Sequence, residues 1–202
     1  MNLVVLGATG RTGRLVVEKA LAAGHTVTAL VRSPQKLTTG HSNLRLVTGE
    51  ATDTLAVSSA LEGADAVISA LGGKGSVIAD STRAIVAAAR KTGLSRVVVL
   101  STFAAERDRL DAGTRLLTGI GMGAMLKDKS AGEEMLRRSD LEWTIVYASM
   151  LTDGPARGSV VVLPEGSKRG LSQKISRADL AAWMLDAATG AQYSRRAIGI
   201  TG

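Results

Sequence analysis

The sequence predicts a single doubly wound α/β domain with a mainly parallel sheet, and three observations support this. An apolar run at residues 3–6 ends in three glycines spaced three residues apart, and an amphipathic helical pattern follows directly. Short β-rich runs then alternate with helical patterns, which is typical of parallel strands covered by helices. No internal repeat or linker interrupts this order, so residues 1–202 are predicted to form one domain.

The three glycines predict a nucleotide-binding turn of the Rossmann type, although such turns also occur without a ligand. Gly7 would make the tight turn off the strand, Gly10 would let backbone N–H groups approach a pyrophosphate, and Gly13 would let the helix lie close to the sheet. The N–H groups that begin the helix favour anions. Thr9 and Thr12 could add hydroxyl donors. The predicted pyrophosphate-binding residues are Gly7, Ala8, Thr9, Gly10, Arg11, Thr12 and Gly13.

The end of the second predicted strand, at residues 25–31, discriminates between the two nicotinamide cofactors. NAD-binding proteins usually place Asp or Glu there to bind the ribose hydroxyls. This chain instead has Arg32, Ser33 and Lys36 and no carboxylate, and guanidinium or ammonium groups suit a 2′-phosphate. The sequence therefore predicts NADP(H) as the cofactor. The alternative is an exposed basic loop without a ligand.

The ends of the next three predicted strands should meet the glycine turn, because the carboxyl ends of parallel strands line one crevice. After the third strand, an acidic residue such as Glu50 could accept a hydrogen bond from the adenine amino group, or Asp53 could simply cap the helix that follows. The fourth strand ends in a glycine-rich loop at residues 71–75. The fifth strand ends in Ser101 and Thr102.

The second half of the chain departs from the regular alternation. Residues 106–126 mix charges, glycines and methionines, and we expect a partly helical substrate lid there. Met122 and Met125 would line an adaptable apolar pocket or belong to the ordinary core. The elements expected afterwards are a charged helix at 127–138, strands at 141–147 and 159–163, a helix capped by Ser176, and a last strand at 196–201. The expected substrate-side elements are about 103–126 and 148–175.

Composition argues against several other classes of protein. The chain has no cysteine and only two histidines, so no metal site is predicted. No apolar run approaches the roughly 18 residues of a membrane span, and the N-terminal residues do not resemble a signal peptide, so we expect a cytoplasmic location. The net charge is +7, but the basic residues are scattered and aromatic residues are only 2%, which does not favour nucleic acid binding. The oligomeric state is not indicated.

Several motifs together resemble the atypical short-chain dehydrogenase/reductases that have an NAD(P)H-binding, NmrA-like domain, and within them the flavin and biliverdin-IXβ reductase branch. The resemblance extends over nearly the whole chain and is most specific for the cofactor. It implies that the glycine turn binds the pyrophosphate, that Arg32 and Ser33 hold the 2′-phosphate, and that Ser101 lies beside the nicotinamide and the substrate. The motifs that carry it lie at 7–13, 30–33, 49–50, 65–67, 101–102 and 141–146.

The resemblance implies further contacts as well. Many members have Arg-Pro-Gly after the sixth strand, where this chain has Tyr147, Ala148 and Ser149, and Met150 falls about where the biliverdin reductases have a histidine. The substrate contacts that we expect are Met122, Met125 and Met150. The remaining cofactor contacts that we expect are Lys36, Glu50, Ala51, Leu71, Gly72, Gly73, Ser101, Thr102, Tyr147 and Ala148.

The acid–base pair of the better-known branch of this family is missing. That branch uses Tyr-x-x-x-Lys, whereas Met125 stands four residues before Lys129, and neither Tyr147 nor Tyr193 has a lysine four residues on. A proton for a reduced substrate would then come from Ser101, from water or, less favoured, from Lys129. The favoured interpretation of Lys129 is a solvated residue on its helix.

The function expected from the sequence is NADPH-dependent hydride transfer to a small or planar conjugated acceptor, such as a flavin or a quinone. A non-catalytic NADP(H) sensor of the NmrA type is one alternative, and the missing tyrosine supports it. An epimerase or dehydratase that retains its NADP is another. The expected partner is a small molecule, not nucleic acid or a membrane.

Overall fold

The structure, a computed structural model, describes residues 1–73, 75–168 and 172–202, except for the side chains of residues 117–121. Strands and helices alternate along most of the chain. In order they are β1 (Asn2–Leu6), α1 (Arg11–Ala22), β2 (Thr26–Val31), β3 (Leu44–Thr48), α2 (Thr54–Leu61), β4 (Ala66–Ser69), α3 (Val77–Thr92), β5 (Arg96–Thr102), α4 (Ala112–Arg137), β6 (Glu142–Ala148), β7 (Met150–Thr152), β8 (Val161–Val162), β9 (Lys174–Ser176), α5 (Arg177–Thr189) and β10 (Arg196–Thr201).

The main sheet has the order β3-β2-β1-β4-β5-β6-β10-β8, which confirms the predicted doubly wound fold. Within the described residues its strands are parallel except for β8, which pairs antiparallel with β10. The chain first builds the sheet outward from β1 to β3 and then returns to β4 on the other side of β1. The strand order therefore reverses between β1 and β4, where open α/β sheets bind their ligands.

Apolar residues on both faces of the sheet explain why its strands are nearly continuous hydrophobic runs. In β1, Leu3 and Val5 pack in one core cluster with residues of α1 and α5. Val4 and Leu6 pack in a second cluster with residues of α2, α3 and α4. Two helical layers thus cover the central strands and hold their carboxyl ends in fixed positions.

Local capping confirms several predicted helix boundaries. The Asp53 carboxylate accepts a hydrogen bond from the Leu55 N–H at 2.9 Å, so this side chain caps α2 as the simpler alternative predicted. Ser176 accepts from the Asp179 N–H at 3.0 Å and caps α5. Gly93 ends α3 in the left-handed conformation, with φ of 75°.

The predicted division of residues 106–138 into a lid and a separate helix is wrong. A single 26-residue helix, α4, covers Ala112–Arg137, and Asp111 caps its beginning. Glycines weaken isolated helices, so several of them suggested a break. Packing on α3 overrides this tendency, and Gly132 permits it, because a Cβ there would lie 2.9 Å from Thr82 Oγ1.

The segment after β6 is less regular than predicted. The expected strand at 159–163 is confined to Val161–Val162, and Met150–Thr152 pairs with Lys174–Ser176 in a separate small sheet. Residues 169–171 of the expected substrate-side segment lie outside the described residues, as does Lys74 of the glycine-rich loop. Among the helices of the described residues, none is long and apolar enough to cross a membrane.

Candidate functional site

Two adjoining cavities form a crevice at the carboxyl ends of the strands, where the strand order reverses. The first, of about 560 Å³, contains Arg32 at the end of β2, and we call it the Arg32 cavity. The second, of about 470 Å³, contains Ser101 at the end of β5, and we call it the Ser101 cavity. Both include Gly10, Ala70, Leu71 and Gly72, so the two cavities adjoin along these residues.

The glycine turn forms the floor between the two cavities. Gly7 has a φ of +80°, and a Cβ there would lie 2.9 Å from the Ala70 carbonyl oxygen. A Cβ at Gly13 would lie 2.1 Å from the Gly7 carbonyl oxygen. The ends of β1 and β4 and the first turn of α1 therefore approach more closely than any side chain allows, as the motif predicts.

The start of α1 presents backbone N–H groups to the crevice. Gly10 precedes the helix and provides no capping side chain, and the first turn contains no acidic residue. The start of α3 differs, because the Asp128 carboxylate accepts from the N–H groups of Ile78 and Ala79 at 2.9 Å each. Of these two helices, only α1 therefore begins with N–H groups that no side chain caps and that a phosphate can bind.

The Arg32 cavity brings together most of the residues predicted to bind the adenosine half of a cofactor. Arg32 is exposed and has no hydrogen bond or ion pair with the described part of the chain. Lys36 is also exposed, and Glu50 lies across the cavity at the end of β3. The predicted residues that line this cavity are Gly7, Thr9, Gly10, Arg32, Lys36, Glu50, Ala51, Leu71, Gly72 and Gly73.

The Ser101 cavity brings together most of the remaining predicted residues. It also includes Leu100, Ser149, Leu151 and Arg177, which sequence reasoning missed. Arg177 reaches the cavity because β9 leads directly into α5 and sets the first helical residue beside the end of β6. The predicted residues that line it, beyond those shared, are Arg11, Thr12, Ser101, Thr102, Met125, Lys129, Ala148 and Met150.

Five predicted site residues do not line either cavity. Ala8 and Gly13 are buried in the turn, and Ser33 is half-buried behind Arg32. Met122 is half-buried on α4. Tyr147 lines a separate cavity of about 430 Å³ together with Glu133 and Arg137, so its phenol group points away from the crevice.

A buried carboxylate that sequence reasoning missed, Glu133 of α4, connects the ends of β5 and β6. Ser101 Oγ donates to Glu133 Oε1 at 2.6 Å, and the Tyr147 hydroxyl donates to Glu133 Oε2. Arg137 donates to the Tyr147 oxygen at 2.8 Å. Burial, and then the Glu133 carboxylate, raises the pKa of Tyr147 above its usual range, so the phenol stays protonated. Ser101 is therefore held by a hydrogen bond that uses its only hydroxyl hydrogen.

The prediction that Lys129 is a solvated residue is wrong. It is 8% exposed, and its Nζ donates to the Leu100 carbonyl oxygen at 3.2 Å. Burial lowers the pKa of Lys129, and the carboxylates of Glu133 and Asp128 partly offset this effect. The expectation failed because the sequence does not show which face of this helix packs on the sheet, and in the structure Lys129 faces the end of β5.

No group of three or more histidine, aspartate or glutamate side chains within the described ranges is arranged to hold a metal ion. The polar groups of the described crevice lining are mostly backbone N–H groups, hydroxyls and cations, and Glu50 adds one carboxylate. Such groups suit phosphates and other anions.

The chain is similar to known proteins in sequence and in fold. Residues 7–190 match the family described as NAD(P)H-binding. The chain is 31% identical over 171 residues to 4-hydroxy-tetrahydrodipicolinate reductase of Natronomonas pharaonis, with 81% of this chain and 63% of that protein covered. It is 29% identical over 206 residues to (4-alkanoyl-5-oxo-2,5-dihydrofuran-3-yl)methyl phosphate reductase of Streptomyces griseus, with 99% of this chain and 67% of that protein covered.

Among solved structures, an anaerobillin reductase from Escherichia coli is similar over 100% of this chain and 97% of its own, with a TM-score of 0.85 and 23% identity. That likeness concerns the fold. The chain spans less than two thirds of the length of the Natronomonas relative, at 63%. The family match covers the glycine turn, both cavities and α5. The chain therefore belongs to the NAD(P)H-binding family.

Proposed function

We propose that this protein is an NADPH-dependent oxidoreductase that reduces a small or planar conjugated acceptor. The observation that carries the proposal is that two cavities adjoin at Gly10, Leu71 and Gly72, on either side of the glycine turn. A dinucleotide laid along this turn would have its adenosine in one cavity and its nicotinamide in the other. The Natronomonas and Streptomyces relatives are named as reductases, which supports the same class of reaction.

The residues of the Arg32 cavity fit NADP(H) better than NAD(H). The close approach at Gly7 and Gly13 and the uncapped start of α1 suit a pyrophosphate. Arg32 stands at the strand end where NAD-binding proteins usually have a carboxylate, and its guanidinium is free to pair with a 2′-phosphate. Lys36 adds a second cation on the same side.

The residues of the Ser101 cavity orient the reactants and carry charge. Bound NADPH would supply the hydride. Because the Ser101 hydrogen is directed to Glu133, its oxygen faces the cavity as an acceptor and can orient an amide or a ring N–H. Lys129 donates one hydrogen bond to the Leu100 carbonyl oxygen and has further N–H groups to donate. We therefore assign Lys129, which lines this cavity, as the proton or hydrogen-bond donor to the reduced acceptor.

The kind of acceptor follows from the lack of a tyrosine acid. Tyr147 is bonded to Glu133 in another cavity and cannot protonate an alkoxide here. A conjugated acceptor spreads the incoming negative charge over its π-system, so it depends less on a strong positioned acid. The half-buried Met125 offers a flexible apolar contact for a flat ligand. The name of the Streptomyces relative describes an unsaturated lactone, and that of the Escherichia structure an anaerobillin, which supports this class.

The test is loss of reduced-nicotinamide absorbance with FMN and a benzoquinone, measured beside an aliphatic ketone. We expect NADPH oxidation with the conjugated acceptors to exceed that with the ketone, and NADH to be the poorer donor. The Gly10→Val variant serves as the control for reaction outside the site. A preference for the aliphatic ketone would contradict the proposed acceptor class and would show that another acid completes the site.

A second candidate, a non-catalytic NADP(H) sensor, is favoured by the missing tyrosine acid. It requires NADPH to bind tightly and to remain reduced with every acceptor of the panel. An epimerase or dehydratase would convert its substrate without net loss of NADPH. Measuring net cofactor consumption separates both from the reductase.

A further inference from the structure

The charged side chains that line the Ser101 cavity all have the same sign. They are Arg11, Lys129 and Arg177, and no carboxylate lines this cavity within the described residues. The Arg32 cavity differs, because Glu50 accompanies its two cations. A cavity whose charged lining is entirely cationic favours an anionic ligand over a neutral one of the same shape.

Two of these cations occupy positions that are electrostatically unfavourable for a helix. Arg11 is the first residue of α1, and Arg177 is the first residue of α5. The N-terminus of a helix carries partial positive charge and normally favours acidic residues. Two helices therefore place cations at their positive ends on the same side of one cavity. This arrangement is explained if an anion binds between them.

A single carboxylate just outside the cavity lining, Asp153, now pairs with both arginines. Its Oδ2 accepts from Arg11 at 2.6 Å and its Oδ1 accepts from Arg177 at 2.7 Å. The Arg11 and Asp153 side chains are 70% and 61% exposed. The Arg177 side chain is only 12% exposed, so it lies deeper in the cavity than Arg11. Exposed ion pairs such as that of Arg11 and Asp153 contribute little to stability. One carboxylate shared by two guanidinium groups leaves a net positive charge at the mouth of the cavity.

We infer that the acceptor carries an anionic group, a phosphate or a carboxylate, that binds Arg11 and Arg177 in exchange with Asp153. The inference rests on the proposed function, and it adds the charge of the substrate. The planar part of the acceptor occupies the cavity beside Ser101 and Met125. Its anionic group lies at the rim, where planar guanidinium groups bind phosphates and carboxylates through paired hydrogen bonds.

FMN and riboflavin test this inference, because they share one ring system and differ in the phosphate. Flavin fluorescence measures the Kd of each on protein saturated with NADP⁺, so that the diphosphate of the cofactor is already bound. We expect FMN to bind about tenfold to a hundredfold more tightly than riboflavin. Arg11→Gln and Arg177→Gln should each reduce that ratio.

Asp153→Asn makes the test sharper because its effect has the opposite sign. Removal of the competing carboxylate frees both arginines, so the FMN preference should rise. If the three residues only stabilised the local fold, all three substitutions would change the ratio in the same direction or not at all. Arg83→Gln on α3 is the matched control, since it removes one charge from an exposed ion pair and Arg83 does not line the cavity.

The outcomes separate the charge of the substrate from the proposed reaction. A preference for FMN that depends on the arginines, without turnover, would support the subsite and refute the reductase. Equal Kd values for the two flavins, or no binding of either, would overturn the inference. Arginine variants that weaken NADP⁺ but leave the ratio unchanged would also overturn it, because the arginines would then serve the cofactor.

Discussion

The two cavities of the crevice are built in different ways, and the contrast explains which of them can be predicted from the sequence. The Arg32 cavity uses only residues between Gly7 and Val77, at the ends of consecutive strands. The Ser101 cavity draws on residues from Gly10 to Arg177, including one long helix and the segment after β6. A site formed by neighbouring βα turns can be predicted from local motifs. A site formed by distant elements depends on how those elements pack.

The largest effect is expected from Gly10→Val, because Gly10 lies where the two cavities meet. A Cβ at Gly10 would lie 3.2 Å from the Gly7 carbonyl oxygen, so that backbone atom must shift by a few tenths of an ångström, and the branched side chain would occupy the path of the pyrophosphate. A Tm equal to that of the wild type shows that the variant is folded. We expect NADPH affinity to fall at least about 100-fold, or roughly 2.8 kcal/mol. Isothermal titration with NADPH measures this, with Gly40→Val as the control because its Cβ meets open space. Unchanged affinity would remove the glycine turn from the cofactor site.

Lys129→Met should affect the chemistry of the Ser101 cavity without loss of stability. Folding lowers the pKa of Lys129, so stability is lost as the pH falls through the lowered pKa, and removal of the charge should not reduce the Tm at neutral pH. If Lys129 is the donor, kcat with FMN should drop about 100-fold. In the wild type, kcat should decline as the pH rises and Lys129 loses its proton. Because its pKa is lowered, this decline should begin at a lower pH than for an exposed lysine. A variant that keeps the wild-type pH profile would exclude Lys129.

Arg32→Glu tests the cofactor choice of the first cavity. A direct pair with the 2′-phosphate should make NADPH bind more tightly than NADH by about 1.5–3 kcal/mol, and the reversed charge should erase or invert this preference. Kd values for both cofactors, measured on the wild type and the variant, decide the question. Arg83→Glu on α3 controls for the change in net charge. Equal affinities in the wild type would mean that Arg32 belongs to a solvated loop.

Ser101→Ala should act on turnover and not on cofactor affinity. Its oxygen is the acceptor that we assign to orientation, so loss of one hydrogen bond should slow kcat by about tenfold. The Glu133 carboxylate would also lose a donor, although Tyr147 and Arg137 remain bonded to it. Single-turnover rates and NADPH titrations separate the two effects. An unchanged chemical rate would make Ser101 a structural residue.

Met125→Ala should have the smallest effect. We expect the KM of the acceptor to rise about threefold while the KM of NADPH is unchanged, because the side chain contributes modest apolar contact at one wall. Met122→Ala is the matched control, since Met122 lies on the same helix but outside both cavities. If both substitutions raise the KM of the acceptor equally, Met125 does not contact the acceptor.

Sequence reasoning predicted the sheet, the glycine turn and the basic strand end because these depend on local periodicity and backbone sterics. It failed at α4, where the glycines suggested a break that packing on α3 overrides. Two contacts of the same helix were missed for a separate reason. Lys129 was expected in solvent, and Glu133, four residues later, received no role, because neither burial nor a partner on β5 or β6 could be inferred without the position of the helix.

The most direct test of the central claim, that the two cavities act as one crevice for hydride transfer, is a single-turnover experiment without oxygen. Protein loaded with NADPH is mixed with FMN, and the absorbance of the reduced nicotinamide and of the oxidised flavin is followed together. We expect both signals to decay with one rate constant that saturates with FMN and exceeds the uncatalysed rate, and we expect Gly10→Val to abolish the decay. If NADPH stays reduced while both ligands are bound, the crevice does not carry out hydride transfer.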